Sequence, residues 1–198
     1  MNKVALRQAW ERLHKAETAL KAIRESNSIH HIASAWSDFL SASATIFSKL
    51  EKGTKGNNRA EPWFGRIKSE RKTDELLRYI HHARNSDEHG IAEVVQKSMG
   101  FWGIKGDVHI ERLETDGHGD VKFGKIRGLN PQRPPELVVV PATVKLLPVH
   151  DDRFNDTFYP PTSHLGVKLE SSTLLEVAEK SYLYMHRILK EAGQFVDA

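Results

Sequence analysis

Apolar residues recur at helical spacing along the first half of the chain. In the first stretch they are separated by three, four or seven residues, at Leu6, Trp10, Leu13, Leu20 and Ile23. This single apolar stripe predicts an amphipathic helix from about residue 3 to 26. A second stretch, from Ile29 to Leu50, steps by three and four residues throughout. It predicts another long helix, and the short link makes the two helices antiparallel neighbours.

Two shorter helices are predicted after an exposed loop over residues 53–58. The first begins at Pro62, because proline suits the first turn of a helix. The second begins at Thr73, which can cap it, and ends near Gly90. The expected buried positions are Trp63, Phe64 and Ile67 in the first helix, and Leu76, Leu77, Ile80 and Ala83 in the second.

The pattern changes between about residues 93 and 165, which hold seven of the eight prolines and several stretches of alternating apolar residues. Residues 108–113 and 121–123 alternate on either side of a turn-forming cluster, and residues 137–140 and 144–149 are further strand candidates. We interpret this part as a small antiparallel sheet or meander. Helical spacing returns from Ser171 or Ser172 to about Ala192.

These elements predict a mainly α fold. Residues 1–92 and 170–198 are expected to form an antiparallel helical bundle. Residues 93–169 are expected to form a β-rich insertion that packs on the bundle before the C-terminal helix.

Composition narrows the class of protein. The chain has 198 residues, of which 39% are hydrophobic and 28% are charged, so a packed core is expected. It contains no cysteine, which excludes disulfides, a thiol nucleophile and any zinc site built on cysteine. No apolar run approaches the roughly 18 residues that span a bilayer, and the N-terminus lacks the apolar core of a secretory signal. We therefore expect a cytoplasmic protein with no membrane partner.

Positive charge is concentrated in one part of the chain. The net charge is +3, yet residues 49–84 contain ten lysines and arginines against five acids. Such a local field can hold phosphates, although a solvated helix face beside a lysine-rich loop is an equally weighted interpretation. The candidate nucleic-acid-binding residues are Arg78, Lys55, Arg59, Lys68, Arg71 and Lys72.

The candidate catalytic motif lies at the end of the fourth predicted helix, as Arg84-Asn85-Ser86-Asp87-Glu88-His89. It resembles the R-x4-6-H motif of the HEPN superfamily (higher eukaryotes and prokaryotes nucleotide-binding domains), whose favoured form is Arg-Asn, three residues, then His. The helical context also resembles that family's bundle. The resemblance covers about residues 1–92 and 170–198, and the β-rich segment has no counterpart in the minimal family fold.

The resemblance implies a metal-independent endoribonuclease without a cofactor, of the kind that acts as a toxin or defence effector. It implies that His89 is the general acid–base group, that Arg84 stabilises charge on the phosphorane, and that Asn85 positions the substrate. It also implies an RNA substrate, a homodimer in which two motifs line one cleft, and a restraining partner such as a cognate antitoxin or regulatory protein. Arg84, Asn85 and His89 are accordingly expected to line the most electropositive cleft of the molecule.

Other interpretations of the same residues stay open. Asp87 and Glu88 would repel a phosphate, and Glu88 could pair with Arg84, which favours a catalytically silent HEPN-like module that binds nucleic acid or protein. The histidine pairs 30–31 and 81–82 are either polar surface or helix-packing residues or, together with Asp87 or Glu88, metal ligands. No HExxH spacing supports a metal, so no metal site is predicted. We interpret residues 151–152 as a turn and Trp102 as the tryptophan with an exposed role.

Overall fold

A computed structural model describes residues 1–89, 93–115, 121–151 and 155–196. The chain divides into two compact units, the first formed by Met1–Ser98 and Val144–Ala198 and the second by Met99–Thr143. The helices are α1 (Lys3–Glu25), α2 (Ile29–Thr54), α3 (Ala60–Thr73), α4 (Glu75–His89) and α5 (Leu174–Gly193). The second unit lies within the predicted insertion at residues 93–169, whereas residues 144–169 belong to the helical unit.

The two long helices begin where the sequence provides a cap. The side chain of Asn2 accepts a hydrogen bond from the backbone N–H of Ala5 at 3.0 Å, and Ser28 does the same for His31 at 3.4 Å. The helix α2 runs to Thr54, so the loop predicted to begin at residue 53 begins at Lys55 instead. Gly53 stays helical because α1 packs against it: a Cβ placed there would lie 2.8 Å from the Cβ of Ala5.

The helices α3 and α4 bury the predicted residues but begin differently. Pro62 lies in the first turn of α3, which starts at Ala60. The cap of α4 is Asp74 rather than Thr73, since the Asp74 carboxylate accepts a hydrogen bond from the backbone N–H of Leu77 at 3.0 Å. Thr73 instead donates back to the carbonyl of Ser69 within α3. The predicted stop at Gly90 lies outside the described residues.

The helix α5 returns to the N-terminal helices, as the sequence predicts. Its start at Leu174 is capped by Thr173. The ring of His186 meets Trp10 of α1 edge-to-face, with 5.6 Å between centroids. The centre of the unit is formed by fully buried side chains, which include Trp36, Phe39, Leu40, Ile46, Leu50, Tyr79, Met185 and Ile188. No helix within the described residues combines the length and apolar character that crossing a bilayer requires.

The strands precede α5, as predicted, but they form separate pairs rather than one meander. In the first unit β1 (Val95–Ser98) neighbours β6 (Thr143–Leu146), β7 (Val149–Asp151) pairs with β8 (Asp156–Phe158), and β9 (Ser163–His164) pairs with β10 (Val167–Lys168). In the second unit β2 (Phe101–Lys105) pairs with β5 (Glu136–Val140), and β3 (Val108–Thr115) pairs with β4 (Val121–Gly128). Prolines between successive strands lack the N–H that a continuous ladder needs, which explains the short pairs. Over the residues that the structure describes, the fold is therefore mixed, with five helices and small strand pairs.

The hairpin β9–β10 is fastened to the start of α4 by two carboxylates. Asp74 accepts hydrogen bonds from Nδ1 of His164 at 3.0 Å and from the backbone N–H of Leu165 at 2.6 Å. Glu75 accepts from the backbone N–H groups of Thr162 and Ser163, each at 3.0 Å. Burial opposes ionisation of Asp74, but these hydrogen bonds outweigh it and hold its pKa below the usual value.

Candidate nucleic-acid interface

A cleft of about 540 Å³ opens among α3, α4 and the region of β8 in the first unit. Among the described residues, its walls carry four cationic side chains, two histidines and one carboxylate. The lining residues are Lys68, Arg71 and Lys72 from α3, Arg78, His81 and His82 from α4, and Asn155, Asp156 and Phe158 from the β8 region. This composition gives the cleft an excess of positive charge.

Some cationic side chains of the cleft form ion pairs with carboxylates, and others do not. Lys68 forms an ion pair with Glu51 at 2.9 Å, and Arg78 lies 3.8 Å from Asp156. Within the described parts of the chain, neither Arg71 nor Lys72 forms an ion pair. These two side chains are therefore the cations best placed to bind an added anion.

In the cleft, the Arg71 side chain contacts a phenylalanine ring and a histidine. Its guanidinium lies 4.6 Å from the centroid of the Phe47 ring and donates a hydrogen bond to Nδ1 of His81. Burial lowers the pKa of Arg71, the Glu51 charge raises it, and the nearby charge of Arg84 lowers it further. A partly desolvated guanidinium of this kind would gain from an anion that replaces its lost hydration.

His82 is fixed in the cleft by a carboxylate and an aromatic ring. Its Nδ1 lies 2.9 Å from Oδ2 of Asp151, and both side chains are nearly buried, with exposed fractions of 12% and 7%. The His82 ring stacks on Phe158 at 3.5 Å between centroids, with 4° between the planes. Asp151 lies in β7 rather than in the predicted turn, because strand pairing with β8 brings it to α4. Asp152 lies outside the described residues.

Arg84 and Asn85 occupy a different position and do not line this cleft. Arg84 donates to the side-chain oxygen of Asn85 at 3.2 Å and forms an ion pair with Glu88, while its buried Nε has no hydrogen-bond partner among the described residues. Asp87 of the same motif accepts a hydrogen bond from the Ser37 hydroxyl of α2. The side chain of His89 lies outside the described residues. The expectation that Arg84, Asn85 and His89 line the most electropositive cleft of the molecule therefore stays a prediction.

The other predicted cations, Lys55 and Arg59, do not line this cleft. Lys55 lines a second cavity of about 470 Å³, which shares Lys68 and Lys72 with the cleft. Arg59 lines neither cavity. The sequence offered a signal for the α3 cations, since residues 68, 71 and 72 are spaced to share one helix face. It offered none for Phe158 or Asp156, which reach α4 only through the tertiary fold.

Two further expectations concern metals and aromatic residues. In the stretches that the structure describes, no cluster of three or more His, Asp and Glu side chains is placed to hold a metal ion. Trp102, in the second unit, is 54% exposed, in line with the exposed role expected for it. Comparison with known proteins gives no match to any protein family, any curated protein or any solved structure.

Proposed function

We propose that this chain binds RNA through the cationic cleft between α3 and α4. The observation that carries the proposal is the convergence of Lys68, Arg71, Lys72 and Arg78 on one cavity. Two of these cations, Arg71 and Lys72, have no ion pair among the described residues. A phosphate would supply a negative charge to pair with Arg71 and Lys72.

The shape of the cationic surface favours a chain of phosphates over a single small anion. The second cavity extends the surface past the shared Lys68 and Lys72 to Lys55, and its lining also includes Glu51 and Glu61. Successive phosphates of a single strand can follow such a groove. Binding through phosphates is salt-dependent and weakly selective for sequence.

The test uses a fluorescent single-stranded RNA in which every ribose carries a 2′-O-methyl group, so that binding is measured without cleavage. Replacing both Lys68 and Lys72 with alanine should weaken binding roughly tenfold and reduce the slope of log affinity against log salt by about 1.4. Lys3 and Arg7 provide the matched control, because they are exposed cations with the same four-residue spacing on α1. Equal losses in the two double variants would contradict the proposal.

A second candidate function is the HEPN-like endoribonuclease with Arg84, Asn85 and His89 as its catalytic residues. The observation that favours it is the hydrogen bond between Arg84 and Asn85, which joins two members of the motif. In this form two chains would pair through α4 so that two motifs share a cleft, and a regulatory protein or antitoxin would restrain the pair. Loss of RNA cleavage in both Arg84→Ala and His89→Ala would support this function, and light scattering would test the dimer.

A further inference from the structure

Exposed apolar side chains are concentrated in the second unit, which spans residues 99–143. Of the thirteen large hydrophobic side chains that are exposed over the ranges described by the structure, eight belong to this unit. They are Met99, Phe101, Trp102, Ile110, Leu129, Leu137, Val139 and Val140. Apolar surface that a folded unit leaves exposed is typical of an interaction site.

Many of these side chains belong to the strand pair β2–β5. Trp102 lies directly opposite Val139. The next pair on the same face is Ile104 with Leu137. Leu137 and Val139 are 63% and 62% exposed, so this face of β5 has room for further side chains beside them. A sheet of two strands is marginally stable in water, and the pair β2–β5 would therefore gain from an additional strand.

The strand β5 has an edge that is suited to such pairing. In the part of the chain that the structure describes, β5 pairs with β2 alone. Residues 137–140 are all apolar, three of them are valine, and their register with β2 contains no bulge. Edge strands are usually protected from further pairing by a charge, a proline or a bulge. The neighbouring pair β3–β4 has this protection, since it contains several charged residues and two register shifts.

We propose that β5 pairs with β5 of a second copy of this chain, antiparallel and about a two-fold axis at Val138. Leu137 then lies opposite Val139 of the second copy, and the two strand pairs join into one four-stranded sheet. Glu136 lies opposite Val140 of the second copy and keeps Lys105 as its neighbour in β2. The two Glu136 side chains are then about 14 Å apart along the strands, beyond the Debye length of about 8 Å. No like charges therefore oppose one another in the new pair.

The charge of the second unit favours a second copy over a nucleic acid as the occupant of this edge. The unit contains six lysines and arginines and six aspartates and glutamates, so its net charge is zero. An RNA backbone gains affinity from net positive charge, which this unit does not offer. A second copy meets no net repulsion, and two-fold symmetry lets one strand supply both halves of the interface. The proposal does not depend on the binding of RNA by the helical unit.

The first experiment is analytical ultracentrifugation of the full chain at micromolar concentrations. We expect the wild type to dimerise reversibly. Val139→Lys places an ammonium group opposite Leu137 of the second copy, so it should raise the dimer dissociation constant at least about 30-fold. Val167→Lys is the matched control, because Val167 is a 69% exposed valine in the strand β10 of the first unit. It should leave the dissociation constant unchanged.

A mixture of two variants tests the register and separates lost pairing from lost folding. Leu137→Glu and Val139→Lys should each be monomeric alone. Mixed together, they place the introduced carboxylate opposite the introduced ammonium at one position and leave leucine opposite valine at the other. The mixture should therefore form a dimer, which unfolded chains could not do. A mixture that stays monomeric would contradict the antiparallel register.

A cysteine on the two-fold axis gives an independent measurement. The chain contains no cysteine, so Val138→Cys can form a disulfide only between two chains. Directly opposed residues of an antiparallel pair have Cα atoms about 4.5–5.5 Å apart, which a disulfide can span. Mild oxidation should give a covalent dimer on a non-reducing gel, whereas Val167→Cys should stay monomeric there.

Two outcomes would overturn the proposal. A wild-type protein that is monomeric in the ultracentrifuge would exclude a second copy as the occupant, and loss of RNA affinity in Trp102→Ala would then assign this surface to RNA. A dimer that Val139→Lys leaves intact would place the interface elsewhere, and a dimer through α4 would agree with the HEPN-like arrangement instead.

Discussion

Glu88 binds the guanidinium of Arg84 one turn further along the same helix. Both side chains are about one-third exposed or less, so the pair is better shielded from solvent than most surface ion pairs. Arg84 also donates to Asn85, and this gives the side chain two partners within α4. Arg84 is thus bound by two other residues of the same motif, Asn85 and Glu88.

Arg84→Ala should therefore act on stability more than on RNA binding. We expect it to lower the free energy of unfolding by about 1 kcal/mol, because one hydrogen bond and a half-buried ion pair are lost. Urea denaturation would measure this effect. Affinity for the 2′-O-methyl RNA should change less than about twofold, and a tenfold loss would instead place Arg84 in the interface.

Two helical glycines should respond to alanine with opposite signs. At Gly53 a new Cβ would lie 2.8 Å from Cβ of Ala5, so Gly53→Ala should cost about 1–3 kcal/mol through overpacking. At Gly65 nothing lies within 4 Å of a new Cβ, and Gly65→Ala should stabilise the protein by about 0.5–1 kcal/mol. Thermal unfolding of the two variants would measure both shifts, and the same sign at both sites would contradict the packing described for α1 and α2.

Glu176 should make stability fall in acid. Burial opposes its ionisation, but N–H groups of Glu170, Ser171 and Ser172 donate to its carboxylate and hold its pKa at about 2. Since this pKa lies below its ordinary value of 4.5, the stabilisation is present above about pH 4.5 and is lost as the pH falls toward 2.

Glu176→Gln should therefore cost about 1 kcal/mol at pH 7 and less at pH 3. Denaturant titrations of both proteins at the two pH values would measure the difference. Glu179→Gln, three residues further along α5, is the control, because its surface ion pair with Arg24 makes a smaller contribution. A cost at Glu176 that does not change with pH would contradict this explanation.

Asp74 should control the hairpin β9–β10 more than the rest of the unit. Asp74→Ala removes the acceptor for His164, Leu165 and Leu77, so we expect faster amide exchange across residues 163–168 and a loss of about 2–3 kcal/mol. Hydrogen exchange monitored by mass spectrometry would locate the effect. Uniform exchange throughout the helices would instead indicate global unfolding.

The sequence predicted the helices well because their packing repeats along the chain. The apolar positions of α1 and α2 follow the period of the helix, and Trp36, Phe39, Ile46 and Leu50 are buried as expected. The end of α2 was misplaced because glycine usually marks a break, whereas Gly53 is required by the close approach of α1. Local sequence preferences carry no information about such a contact between two helices.

The cleft was predicted only in part, and for a related reason. The sequence identified Lys68, Arg71 and Lys72 as candidates because residues 49–84 are rich in lysine and arginine. Asp151 lies 69 residues beyond His82 and Phe158 lies 76 residues beyond it (158 − 82). Both reach α4 through strands too short to be predicted with their partners. For the same reason the sequence suggested His82 as a packing residue and did not connect it to a carboxylate.

The neighbouring strands β1 and β6 have a consequence for how this protein can change over evolution. Residues 99–143 leave the helical unit at Ser98 and return to it at Val144, and the two flanking segments are also joined by a backbone hydrogen bond from Leu147 to Val94 at 3.1 Å. The helical unit therefore keeps the two ends of residues 99–143 close together, as in an ordinary hairpin. Lengthening such a connection costs closure entropy that grows only with the logarithm of its length. Changes in the length of residues 99–143 are thus expected to cost the helical unit little stability.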